Sequence, residues 1–140
     1  PDFGAPAVID RFAQIKPVVF IATTTYQYNL KQFDKRTTVS EIADALPSLQ
    51  EVIVMGDAIT HQVPVSMWND IMETTVDNTP LHFVRVPFSH PIWVLYSSGT
   101  TGLPKAITHS HGGILLEQLK YVTFHNNFKR GERCFWYTTT

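Results

Sequence analysis

Apolar residues recur along this chain in two rhythms, and each switch between them marks the edge of an element. Over residues 6–15, Val8, Ile9, Phe12 and Ile15 fall at helical spacing behind Pro6, and Pro17 ends the pattern, which predicts a first helix. Residues 18–22, Val-Val-Phe-Ile-Ala, follow as an unbroken apolar run of strand length, the pattern of a strand buried on both faces of a parallel sheet. Residues 23–36 are polar and aromatic with mixed charge, and predict an exposed loop or a short extended excursion. Thr38-Val-Ser-Glu41 has capping-box spacing and opens a predicted helix to about residue 46, which Pro47 closes. Glu51-Val-Ile-Val-Met55 is a second apolar strand, stopped by Gly56 and Asp57. Strand, helix and strand in that order make a βαβ unit.

The second half continues the alternation. Ser66 predicts the cap of a helix over residues 67–74, ahead of the turn-rich Asp77-Asn78-Thr79-Pro80. Residues 81–86 and 91–97 read as strands, 106–108 as a short strand, 114–125 as a helix with Leu115, Leu119 and Val122 on one face, and 133–137 as a last strand. The fold class is therefore α/β: a layered, mostly parallel sheet with flanking helices.

Composition narrows this picture. With 140 residues, 44% hydrophobic and 16% charged, the chain is expected to build one core, a single α/β subdomain over residues 1–140. A formal net charge of -1 and the lack of any long Lys/Arg run argue against a nucleic-acid partner. The apolar runs are far shorter than the ~20 residues that cross a bilayer, so no membrane association is expected, and without a signal peptide the expected compartment is the cytoplasm. Cys134 is the single cysteine, so an intrachain disulfide is impossible, and its neighbours Phe135, Trp136 and Tyr137 predict a buried strand with the thiol as a small core group. His109 and His111 have no third ligand placed by the sequence, and no metal site is predicted.

The chemistry concentrates in Tyr96-Ser97-Ser98-Gly99-Thr100-Thr101-Gly102-Leu103-Pro104-Lys105. Two glycines let the backbone approach an anion, four hydroxyls offer donors, and Lys105 adds a flexible positive charge. The string is not a Walker A loop, because two residues rather than four separate Gly99 from Gly102 and Ala106 follows the lysine; nor does it contain a dinucleotide G-x-G-x-x-G. Against a phosphate cradle stands the plainer reading, a Ser/Thr-rich turn between two strands.

The string Ser97-Ser-Gly-Thr-Thr-Gly-Leu-Pro-Lys105 closely resembles the phosphate-binding signature of the adenylate-forming superfamily. Its flanks, His90-Pro-Ile-Trp-Val-Leu-Tyr96 and Ala106-Ile-Thr-His-Ser-His-Gly-Gly-Ile114, and the opening Pro1-Asp-Phe-Gly-Ala-Pro-Ala-Val-Ile-Asp-Arg-Phe12, are most similar to the acetoacetyl-CoA synthetase branch. The resemblance implies part of a large N-terminal AMP-binding domain, with ATP, Mg2+ and coenzyme A as cofactors and small molecules as the only partners. It assigns Ser97, Ser98, Gly99, Thr100, Thr101, Gly102 and Lys105 to the ATP phosphates, and no catalytic residue. The implied reaction is a ligase reaction in two steps: a carboxylate attacks ATP to give an acyl-adenylate, and the thiol of coenzyme A then displaces AMP. Alternatives are an acetyl- or propionyl-CoA synthetase and a non-catalytic nucleotide-binding or interaction domain. The start without Met and the stop inside a strand-like pattern lead to the expectation that these residues are a piece of a longer enzyme, lacking its C-terminal domain and inactive alone.

Overall fold

The computed structural model describes residues 3–74, 80–97 and 102–135, and the chain divides into two units, Pro1–His82 with Tyr96–Ala106 and Phe83–Leu95 with Ile107–Thr140. In the first unit, helix α1 (Ala5–Ile15) starts with Pro6 in its first turn and ends at Lys16, whose left-handed backbone (φ 49°) turns its N–H to the Phe12 carbonyl. Pro17, without an N–H, forbids a further turn. Strand β1 (Val19–Thr23) follows. The excursion after it is an antiparallel hairpin of β2 (Thr25–Tyr28) and β3 (Lys31–Asp34), with Tyr26 stacked on Phe33 at 5.1 Å. The turn is made by Asn29 and Leu30, both at positive φ. This resolves the loop-or-excursion alternative in favour of paired strands.

Helix α2 (Arg36–Asp44) begins two residues before Thr38, so the predicted capping box does not form. The Asp34 carboxylate takes over, accepting the backbone N–H of Arg36 at 2.9 Å. Strand β4 (Glu51–Met55) pairs in parallel with β1, Phe20 opposite Val52 and Ala22 opposite Val54, and with the short β5 (Val65–Met67), giving the order β1-β4-β5. Helix α3 (Trp68–Thr74) completes the unit. Ser66 lies in β5 and gives its hydroxyl to Glu51 at 2.5 Å instead of capping a helix.

The core is one-sided. Ala5 of α1, Val39, Ile42 and Ala43 of α2, and Phe20, Val52 and Val54 of the sheet form one buried cluster, with Phe12 edge-on to Phe20 at 5.9 Å. Full burial of a valine side chain contributes roughly 1.5–3 kcal/mol, so Val52 and Val54 are among its main supports. The alternate positions Val19 and Ile21 are 45% and 51% exposed, which corrects the expectation of a β1 covered on both faces.

In the second unit, β6 (Pro91–Ser97) and β7 (Lys105–Ser110), whose loop-side ends belong to the first unit, pair with each other. Helix α4 (His111–Lys120) takes in both glycines that were expected to precede it, because the Ser110 hydroxyl caps it by accepting the Gly113 N–H at 3.1 Å. Its last turn passes into a π-helical stretch, Tyr121–His125. The Phe88 ring lies against Gly112 and leaves no room for a Cβ there. Residues 81–86 form no strand; Leu81, Phe83 and Val84 are exposed. Residues 133–135 are irregular, with Cys134 exposed, while positions 136 and 137 of the predicted last strand lie outside the described residues.

Candidate functional site

The hydroxyl-glycine string connects β6 to β7, and the first unit holds both of its ends. Of the residues assigned to phosphate, Ser97 closes β6, Lys105 opens β7 and Gly102 lies between them; Ser98, Gly99, Thr100 and Thr101 lie outside the described residues. Ser97 is half-buried, whereas Gly102 and Lys105 are exposed. Gly102 sits at φ +115°, a conformation that L side chains rarely adopt, and among the described residues, its chain neighbours aside, no atom lies within 4 Å of the place a Cβ would take. Glycine is therefore demanded by the backbone turn.

At the first residue of the string, the Tyr96 hydroxyl donates to the Arg11 carbonyl of α1 at 2.8 Å. Burial raises the Tyr96 phenol above its ordinary pKa, and the nearby Arg11 charge draws it partly back. The Arg11 guanidinium itself is engaged on its own helix, donating to the Ala7 carbonyl at 2.6 Å and lying 4.4 Å from the Phe3 ring centroid. Near the other end of the string, Gln14 donates from Nε2 both to the Asp10 carbonyl at 2.8 Å and to the Pro104 carbonyl at 2.9 Å. An open depression of about 370 Å3 lies here, lined by Asp10, Gln14, Leu103, Pro104 and Lys105.

Chemically, this end of the unit offers an ammonium, a hydroxyl and glycine backbone, the donor set that anions take. A second hollow, about 260 Å3 and bordered by Phe12, Phe20, Val39 and Ile42, is apolar apart from Lys35, Thr23 and Thr38 at its margin, and contains none of the string. Among the described residues no group of three or more His, Cys, Asp or Glu side chains could hold a metal ion, and no helix is long and apolar enough to cross a membrane. His90 and His111 lie with ring centroids 5.7 Å apart, brought together by the His111 N–H donating to the His90 carbonyl.

The contribution of α1 was not read from the sequence. The one available signal was Tyr96, which belongs to the string yet had no part in the anion reading. Gln14 carries no local mark, because its partner is 90 positions away.

The family described as AMP-binding enzyme matches residues 1–139 of this chain. An acetoacetyl-coenzyme A synthetase of Rhizobium meliloti (strain 1021) is 42% identical over 99% of the chain and 22% of its own length. An acetoacetyl-CoA synthetase of Danio rerio is 37% identical over 100% of the chain and 22% of its own length. Among solved structures, the acetoacetyl-CoA synthetase from Streptomyces lividans superposes with a TM-score of 0.84 at 46% identity, covering 100% of this chain and 21% of that one. The chain thus spans about a fifth of the length of the relatives it matches.

Proposed function

Because the chain belongs to the AMP-binding enzyme family, we propose that it supplies the phosphate-holding loop of an ATP-dependent acid:CoA ligase that converts acetoacetate to acetoacetyl-CoA. The observation that carries this reading is the likeness to acetoacetyl-CoA synthetases along the whole chain, 46% identical to the Streptomyces lividans protein. The donor chemistry at the β6–β7 connection supports it.

In the proposed reaction a carboxylate oxygen of acetoacetate bonds to the α-phosphorus of ATP while the bond to the β-phosphate oxygen breaks. Pyrophosphate leaves, and an acyl-adenylate remains. The sulfur of coenzyme A then bonds to the acyl carbon, the bond to AMP breaks, and the thiol proton passes to solvent. In this scheme Ser97, Ser98, Gly99, Thr100, Thr101, Gly102 and Lys105 hold the β- and γ-phosphates. They act as an electrostatic clamp that positions and screens the departing pyrophosphate, not as acid, base or nucleophile. Hydrogen bonds to charged groups contribute roughly 1.5–3 kcal/mol each, so a few suffice to seat a triphosphate tail. Mg2+ neutralises phosphate charge when it enters with the nucleotide; the described residues offer it no ligand cluster of their own. The proposed partners are small molecules alone, and the proposed compartment is the cytoplasm.

The test is acetoacetate-dependent ATP–pyrophosphate exchange by the protein that carries this sequence at its full natural length, set against exchange with acetate and propionate. Faster turnover of either short acid would replace acetoacetate as the substrate. The double variant Thr100→Val, Gly102→Val removes a hydroxyl and places a branched side chain at φ +115°, and is expected to raise the KM for ATP more than about tenfold, the factor that follows from losing one charge-assisted bond. Unchanged ATP kinetics in it would refute the phosphate assignment. The 140 residues alone are expected to show no exchange.

A further inference from the structure

We propose that Gln14 is a positioning residue for Lys105 and, with Tyr96, makes helix α1 the brace of the phosphate loop; this rests on the phosphate reading of the loop given above. Both partners of the Gln14 Nε2 group, the Asp10 and Pro104 oxygens, are carbonyls, so the amide must present its two N–H donors to them. The bond to the Asp10 carbonyl, one turn back on the same helix, locks the side chain along α1 and aims the second donor outward at Pro104.

Pro104 directly precedes Lys105. Its carbonyl shares one planar peptide unit with the N–H and Cα of Lys105, so holding that oxygen sets where the lysine side chain starts. On the other side of the string, the Tyr96 hydroxyl is bound to Arg11, one helical turn from Gln14. A rigid helix thereby sets the spacing between the two ends of the connection. Gln14 is exposed and outside the hydrophobic cluster, so its hydrogen bonds, not its bulk, are what a substitution removes.

The decisive experiment uses the full-length protein with Gln14→Met, which keeps the length of the side chain and removes both donors, and Gln14→Glu, which keeps its shape and turns a donor into an acceptor. The expected result is a KM for ATP raised about fivefold in both, the factor of one lost neutral hydrogen bond. The KM values for acetoacetate and coenzyme A should stay within about twofold and Tm within about 2 °C, as for an exposed side chain. Lys105→Ala is measured beside them. A raised KM for ATP in Lys105→Ala with an unchanged one in Gln14→Met would overturn the positioning role and leave the phosphate reading standing. Equal rises in all three KM values with a lowered Tm would show a merely structural residue and overturn it as well. Unchanged ATP kinetics in Lys105→Ala would overturn the phosphate reading, and this inference with it.

Discussion

Thr24 and Asp57 are joined where two parallel strands end: the fully buried Thr24 hydroxyl donates to the Asp57 carbonyl at 2.6 Å and lies 3.1 Å from the Met55 carbonyl. The Thr24 backbone N–H also reaches Met55, at 2.9 Å, and its carbonyl accepts the Lys35 N–H at 2.7 Å. One residue thus ties the ends of β1 and β4 to the entrance of α2. In open α/β sheets the carboxyl ends of the strands are where ligands gather, so a polar group buried there must be satisfied by the protein itself.

Thr24→Val keeps the shape and removes the hydroxyl, leaving the Asp57 carbonyl without this donor. It is expected to destabilise the fold by about 1–3 kcal/mol, while Thr24→Ser, which keeps the donor, costs less than about 1.5 kcal/mol. Urea unfolding of the two variants side by side decides the matter; a loss in Thr24→Ser larger than in Thr24→Val would mean that the methyl group and not the hydroxyl matters.

Gly56 follows β4 at φ +102°, and a Cβ placed there would stand 2.6 Å from the Thr25 hydroxyl and 3.0 Å from the Thr25 backbone nitrogen. Backbone conformation and crowding act together at this position. Gly56→Ala should lower stability by about 2 kcal/mol or more. A thermal melt within about 1 °C of the parent would show that the strand ends relax at no cost.

Asp34 and Arg36 form a bidentate pair with a shortest distance of 2.6 Å, and hydrogen bonding from the Arg36 side chain and backbone lowers the Asp34 pKa to about 2. Because the folded value lies below the unfolded value of about 3.9, the pair's contribution is present above pH ~4 and is lost as pH falls through that window towards 2. Both side chains are about half exposed, so the effect on overall stability is small. The carbonyl 13C titration of Asp34 should have its midpoint near 2 and move towards the ordinary value in Arg36→Ala; a midpoint unmoved by that substitution would contradict the pairing.

Tyr96 must be protonated to donate to Arg11, and burial keeps it protonated to higher pH than an ordinary phenol. The stability it confers is complete below the unfolded tyrosine value of about 10 and declines as pH rises through the folded one. In ultraviolet titration, the absorbance rise lost in Tyr96→Phe should develop above the ordinary phenol value of about 10. An earlier loss would place the ring in water.

Much of the first unit is legible locally. Apolar runs of strand length at residues 18–22 and 51–55 match β1 and β4 within one residue, and the spacing of Val8, Phe12 and Ile15 behind Pro6 marks α1. Their parallel pairing follows from the intervening helix. By contrast, residues 81–86 have the composition of a strand and form none, since a strand is defined by a partner's hydrogen bonds and no local pattern supplies a partner. At Thr38 the reason is similar: Asp34, set at the end of the β2–β3 hairpin, accepts the Arg36 N–H, and α2 starts two residues ahead of the capping-box position, which places Thr38 inside the helix.

At the candidate site the division is the same. The glycines, hydroxyls and lysine of the string are consecutive, so the order of residues alone determined its donor chemistry and the strand that leads into it. What the tertiary structure decided is which element holds that chemistry in place. Gln14 and Pro104 stand 90 positions apart, and only the folding of α1 against the two ends of the connection brings them within hydrogen-bond distance. Local propensity is a property of neighbouring residues, whereas a brace exists only once distant backbone groups have been brought together by the packing of the core.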